Sequence, residues 1–152
     1  MLLKNKKGDE FRLEIIGYQF PSILDSYWDS NWLNVRINVS TSTGSWSCVA
    51  PCLLTFEVDE LASWLDKLIV DKASTAVISF TEPSPQFRFI KHGSGHCLLR
   101  VDLGYFFQKK LSGLFAGRRF IRLFFSINDN ELPHQANLLR EQLKNCPQRV
   151  FR

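Results

Sequence analysis

Leu33, Val35, Ile37 and Val39 alternate with Asn34, Arg36 and Asn38. A period of two puts one apolar and one polar set on opposite faces of an extended chain, which a helix cannot do. This stretch constrains the fold most, because a half-polar strand needs antiparallel neighbours and a core on one side only. Thr41-Ser42-Thr43-Gly44 reads as a turn, and Trp46 to Ala50 can return as the hairpin partner. Pro51 is expected to break that ladder. Phe11 to Ile15 alternates in the same way, before Pro21 ends the stretch.

The period then changes. Val58, Leu61, Ala62, Leu65, Leu68 and Ile69 follow a 3.6-residue stripe, with Glu57, Asp59 and Glu60 in the first turn and Thr55 as cap. Ala76 to Thr81 reads as a strand. Gln86 to Ile90 and Cys97 to Val101 form a hairpin around His92-Gly93-Ser94-Gly95-His96, with Leu103 to Phe107 extending it. Leu111 to Arg118 reads as a loop. Ile121, Leu123, Phe125 and Ile127 alternate again. A last helix starts near Leu132-Pro133, buries Leu132, Ala136, Leu139 and Leu143, and stops before Pro147, leaving Gln148 to Arg152 as a tail. Helices do not alternate regularly with single strands, so a parallel doubly wound sheet is not expected. The expectation is an α+β fold: a curved antiparallel sheet of about six or seven strands with two packed helices. The 152 residues suit one domain spanning 1–152, with the lysine-rich residues 1–9 frayed.

Composition limits function more than it defines it. At 45% hydrophobic residues the chain can bury a core. Ile121 to Phe125 is too short to span a bilayer, and no apolar segment follows the lysines at the start, so a cytoplasmic protein is expected. The net charge of +4 is unevenly placed. Residues 20–82 balance at −5 and residues 109–152 at +6. Such asymmetry suits either a protein partner or nucleic acid.

Candidate chemistry is sparse. Cys48/Cys52 and His92/His96 have zinc-compatible spacing, against the simpler reading of buried thiols and loop histidines. Ser94 lies between glycines that a tight turn explains, without a nucleophile elbow. His96 and Cys97, as strand neighbours, point to opposite faces. Nucleotide-binding glycine loops are missing from the sequence. Lys109-Lys110 and Arg118-Arg119 could touch phosphates, which makes residues 109–152 the alternative nucleic-acid surface, but two short basic pairs are more often a solvated surface and nucleic acid is not the expected partner. Phe87, Phe89, Tyr105 and Phe124 could stack bases, but a sheet core explains them more simply. Asp25, Tyr27, Trp28, Asp29 and Trp32 combine large aromatics with carboxylates, as a protein-binding hot spot does. Folding of that loop onto the core is the competing reading. No cofactor is expected.

Tyr27-Trp28-Asp29-Ser30-Asn31-Trp32-Leu33-x-Val35 resembles the aspartate-aromatic-Asn-Trp-Leu segment of the WapI-type immunity proteins. Gly44-Ser45-Trp46, Pro51-Cys52-Leu53-Leu54-Thr55 and the acidic helix start with Leu61 and Trp64-Leu65 resemble that family's central block. Phe80-Thr81-Glu82-Pro83 with Phe87, and the closing Leu139, Leu143, Cys146-Pro147 and Arg149, are similar to its later segments. The resemblance covers most of residues 11–149. It implies a cytosolic bacterial antidote that binds the C-terminal domain of a polymorphic toxin, for the eponymous member a tRNA-cleaving nuclease. Occlusion without catalysis is the implied mechanism. Acidic residues in the −5 segment would steer onto a basic toxin. Asp25, Tyr27, Trp28, Asp29 and Trp32, with Glu57 and Glu60, are the expected contacts.

Overall fold

The alternating residues of the first third build a four-stranded antiparallel sheet. Its strands lie in chain order: β1 (Leu2–Lys4), β2 (Glu10–Tyr18), β3 (Trp32–Thr41) and β4 (Gly44–Leu54). This computed structural model describes residues 1–71, 74–93, 95–104, 107 and 121–149. Leu13, Ile37 and Cys48 form one row across β2, β3 and β4, and all are buried. The polar positions Asn34, Arg36 and Asn38 occupy the opposite face, as the alternation requires.

Two expectations are corrected in this sheet. Residues 1–9 do not fray, because Leu2–Lys4 pairs with Glu10–Arg12 and buries Met1 and Leu3. The apolar side chains outweigh the neighbouring lysines. A fully buried leucine contributes about 2 kcal/mol. Pro51 does not end β4, which runs on to Leu54. Pro51 pairs with Asn34 beside a register shift on an edge strand, where an absent N–H leaves no inner ladder partner unserved.

Helix α1 (Thr55–Val70) follows directly. Its buried stripe is Val58, Leu61, Ala62, Leu65 and Leu68, while Ile69 lies outside it, exposed. Thr55 is the first helical residue rather than the cap. The Glu57 carboxylate instead accepts the Leu54 N–H at 2.9 Å. That bond satisfies a backbone donor at the helix entry.

α1 leads into a second antiparallel sheet, again in chain order: β5 (Thr75–Ile78), β6 (Gln86–Lys91), β7 (His96–Leu103) and β8 (Ile121–Asn128). Gly93 and Gly95 have φ of +66° and +80° at the β6–β7 tip, a conformation that side chains disfavour. Helix α2 (Glu131–Leu143) follows β8 and buries Leu132, Ala136 and Leu139.

The α+β class, the antiparallel pairing and the two long helices stand as expected among the described residues. The eight strands of the described residues, however, are divided between two open sheets of four rather than curved into one. Alternation reveals which side of a strand is buried, not which strands share a ladder. The sheets meet in one core, where the Phe11 ring lies 6.1 Å from Phe87, edge-on, and 6.5 Å from Phe125. The helices pack on each other and are bridged by Arg140 and Asp66 at 2.7 Å. Among the described residues, no helix is long and apolar enough to cross a membrane.

Candidate partner-binding site

The segment between β2 and β3 is bound closely to the body of the protein. It ends in a 3-10 turn at Asp29–Asn31. The Ser26 hydroxyl accepts the Asp29 N–H at 3.1 Å, the Ser30 N–H reaches Ser26 O at 3.0 Å, and the Ser30 hydroxyl donates to the same carbonyl. Asn31 is fully buried and joins three parts of the chain. Its Nδ2 donates to Tyr27 O at 2.8 Å and Arg149 O at 2.9 Å. Its Oδ1 accepts the Thr55 hydroxyl at 2.7 Å and the Arg149 N–H at 2.9 Å. A buried amide with every group used fixes its surroundings firmly, since any lost partner leaves a desolvated polar atom.

Arg149 completes the brace. Its guanidinium donates to Ile23 O at 2.9 Å and Phe20 O at 3.3 Å, and lies 3.6 Å from the Tyr18 ring centroid. The Tyr18 hydroxyl donates to Pro147 O.

With Ser30 and Asn31 turned inward, Tyr27 and Trp28 face outward, 45% and 52% exposed. They are joined by Phe56, from the first turn of α1. Tyr27 stacks on Phe56 at 5.4 Å, and Trp28 stands edge-on to Tyr27 at 5.4 Å and to Phe56 at 5.9 Å. Asp25 and Asp29 are exposed on the loop, and Asp59 and Glu60 are exposed one helical turn beyond Phe56. None of these carboxylates forms an ion pair among the described residues. The result is a three-ring aromatic surface with an unneutralised acidic border. It can hold a cation over a ring face and pair it at the rim.

The other expected contacts separate. Trp32 is half-buried at the start of β3, opposite Leu54. Glu57 is a correction, because its side chain is buried and both oxygens are occupied: beside the Leu54 bond it accepts the Thr81 N–H at 2.6 Å. It joins α1 to the segment after β5 and offers nothing to a partner. Phe56 escaped the sequence reading. Its signal was an aromatic at the helix start lying off the Val58–Leu61–Leu65 stripe.

The zinc-spaced pairs are not brought together. Cys48 and Cys52 are buried on β4 in the first sheet, whereas His92 and His96 are exposed at the β6–β7 tip of the second. Among the described residues, no group of three or more His, Cys, Asp or Glu is placed to hold a metal. Burial pushes the Cys52 thiol far above its ordinary range, with Cys48 and Glu57 adding to the effect. Burial likewise pushes Cys97 up to about 12, with Asp129 and Glu131 contributing. Such thiols are protonated and poorly nucleophilic.

Lys72, Ser94, Tyr105, Lys109-Lys110, the 111–118 loop, Arg118-Arg119 and residues 150–152 lie outside the described residues. Of the described cations in 109–152, Arg140 pairs with Asp66, Lys144 with Glu141 at 2.7 Å, and Arg149 faces the loop carbonyls. Phe87 and Phe89 are core residues, while Phe124 is exposed.

Exposed rings with a carboxylate border have the composition of a protein-binding hot spot. The chain matches the Immunity protein WapI-like family over residues 1–147, and it belongs to that family. No curated protein and no solved structure matches it.

Proposed function

We propose that this chain is a bacterial, cytoplasmic antitoxin that neutralises a cognate toxin domain by covering it, without catalysis. The Tyr27–Trp28–Phe56 patch, with Asp25, Asp29, Asp59 and Glu60 around it, is the contact surface. Family membership supports the immunity role. The observation that carries the choice of surface is the exposure of Trp28 above a buried, fully bonded Asn31. A protein does not need large rings outside its core, and pre-ordered aromatics lose little entropy on binding. The acidic border fits a basic toxin domain, including a nuclease.

The test pairs the protein with the toxin domain encoded beside its gene. Trp28→Ala combined with Asp29→Ala weakens binding by about thirtyfold or more in calorimetry, as truncation of a hot-spot aromatic does. The urea midpoint of the variant stays close to wild type. Unchanged affinity in a folded variant would place the contact elsewhere, and an unfolded variant would make both residues structural.

A further inference from the structure

A second surface combines exposed aromatic and charged groups, with the opposite sign. It is the outward face of the second sheet. Register places Val77, Arg88, Arg100 and Phe124 in one row across β5, β6, β7 and β8. The next rows hold Ile90, Leu98 and Ser126 on one side and Gln86, Asp102 and Arg122 on the other. Arg88 and Arg100 are therefore direct cross-strand partners, and like charges in that position oppose pairing. Asp102 binds Arg100 at 2.6 Å and lies 3.7 Å from Arg122. Arg88 has no ion pair among the described residues. The Nε atoms of Arg88 and Arg100 are shielded from solvent and have no hydrogen-bond acceptor among the described residues.

The neighbouring turn adds to this charge. Asn5 donates to Phe124 O at 3.1 Å, which holds the β1–β2 turn against β8. Lys6, Lys7, Thr43, Arg122 and Phe124 then line a groove of about 440 Å³. Arg100 and Arg122 border an adjoining hollow of about 340 Å³. Asp9, also at the groove, accepts from Asn5 at 2.9 Å. Phe124 is 48% exposed.

We infer that this face binds a single-stranded nucleic acid, its phosphates on Lys6, Lys7, Arg88 and Arg122 and a base on Phe124. Strands lie about 4.8 Å apart, so the row from Arg88 to Phe124 spans about 10 Å, more than one nucleotide of backbone. Cations along the path with an exposed ring between them fit a polyanion that carries planar groups. An acidic protein segment would use the cations but not require the ring.

The experiment measures fluorescence anisotropy of a short labelled single-stranded RNA at several salt concentrations. Wild-type protein binds, and its affinity falls with salt at a slope of about −0.7 per phosphate contacted. Arg88→Gln with Arg122→Gln weakens binding on the order of tenfold and flattens that slope. Phe124→Ala weakens it on the order of tenfold but leaves the slope unchanged, which separates stacking from charge. Lys6→Ala with Lys7→Ala, in a turn, repeats the charge effect without touching the sheet. The Trp28→Ala/Asp29→Ala variant retains RNA binding. No binding at low salt overturns the proposal. So does tighter binding of polyglutamate than of RNA with no effect of Phe124→Ala, which would make the face a site for an acidic protein.

Discussion

The two charged aromatic surfaces are built in opposite ways. Tyr27, Trp28 and Phe56 stand on a loop whose position is set by side chains: Asn31 binds the Tyr27 and Arg149 backbone and the Thr55 hydroxyl, and the Arg149 side chain binds the Ile23 carbonyl. Arg88, Arg100, Arg122 and Phe124 stand on strands whose positions are set by backbone register alone. The first surface therefore depends on a few buried polar atoms, whereas the second takes only its Lys6–Lys7 turn from a side chain, Asn5. One mutation can dismantle the first, whereas the sheet residues of the second change only where they are directly altered.

The sharpest way to break this contrast is Asn31→Ala. It leaves the Arg149 N–H and the Tyr27 and Arg149 carbonyls without their partner, so stability falls by about 3 kcal/mol in urea denaturation. Limited proteolysis then cuts at residues 19–31 before it cuts in the second sheet. A loss below about 0.5 kcal/mol would show that the loop is held by its rings instead.

An interior thiol makes stability depend on pH at the alkaline end. Cys97, on the inner side of β7, has its thiol raised from 9.0 to about 12 by burial. Below pH 9 both folded and unfolded chains carry the proton, and the shift has no effect. Above it the unfolded chain ionises first. Stability therefore declines by up to about 1.4 kcal/mol per pH unit for this thiol until the folded value is reached. Urea midpoints compared at neutral and alkaline pH fall less steeply in Cys97→Ala than in wild type. Equal slopes would mean that the thiol is hydrated.

The smallest effect has the opposite sign. Arg88→Thr removes one of two facing cations and places a β-branched residue in the strand, so stability rises by about 0.5 kcal/mol. Denaturation midpoints at low and high salt check this, because the gain shrinks as salt screens the pair. A loss in place of a gain would show that Arg88 supports the sheet through its stem.

How much of this was legible follows from the distance over which each signal acts. β3 and α1 were clear because alternation at Leu33–Val39 and the stripe from Val58 to Leu68 are local. Trp28 and Asp29 were legible as a chemical pairing. Phe56 could have been found from its place off the stripe. Glu57 misled, since its acidic side chain at a helix start looks the same whether it faces solvent or turns inward to Leu54 and Thr81. The Asn31 bonds to Arg149 join residues far apart in sequence, and no short-range pattern encodes them. The opposition of Arg88 and Arg100 needs a ladder register, which alternation alone does not fix. Division into two sheets was hidden for the same reason, and three-residue β1 was too short to show a period.

The bonds between Asn31 and Arg149 also set an order in time. A chain emerging during synthesis folds from its beginning, and both sheets and both helices are complete at Leu143. The aromatic loop gains its last anchors only when Arg149 arrives. A product cut short after α2 thus keeps both sheets but lacks core residue Cys146 and the last anchors of its aromatic loop, so the surface proposed for recognition matures after the scaffold that carries it.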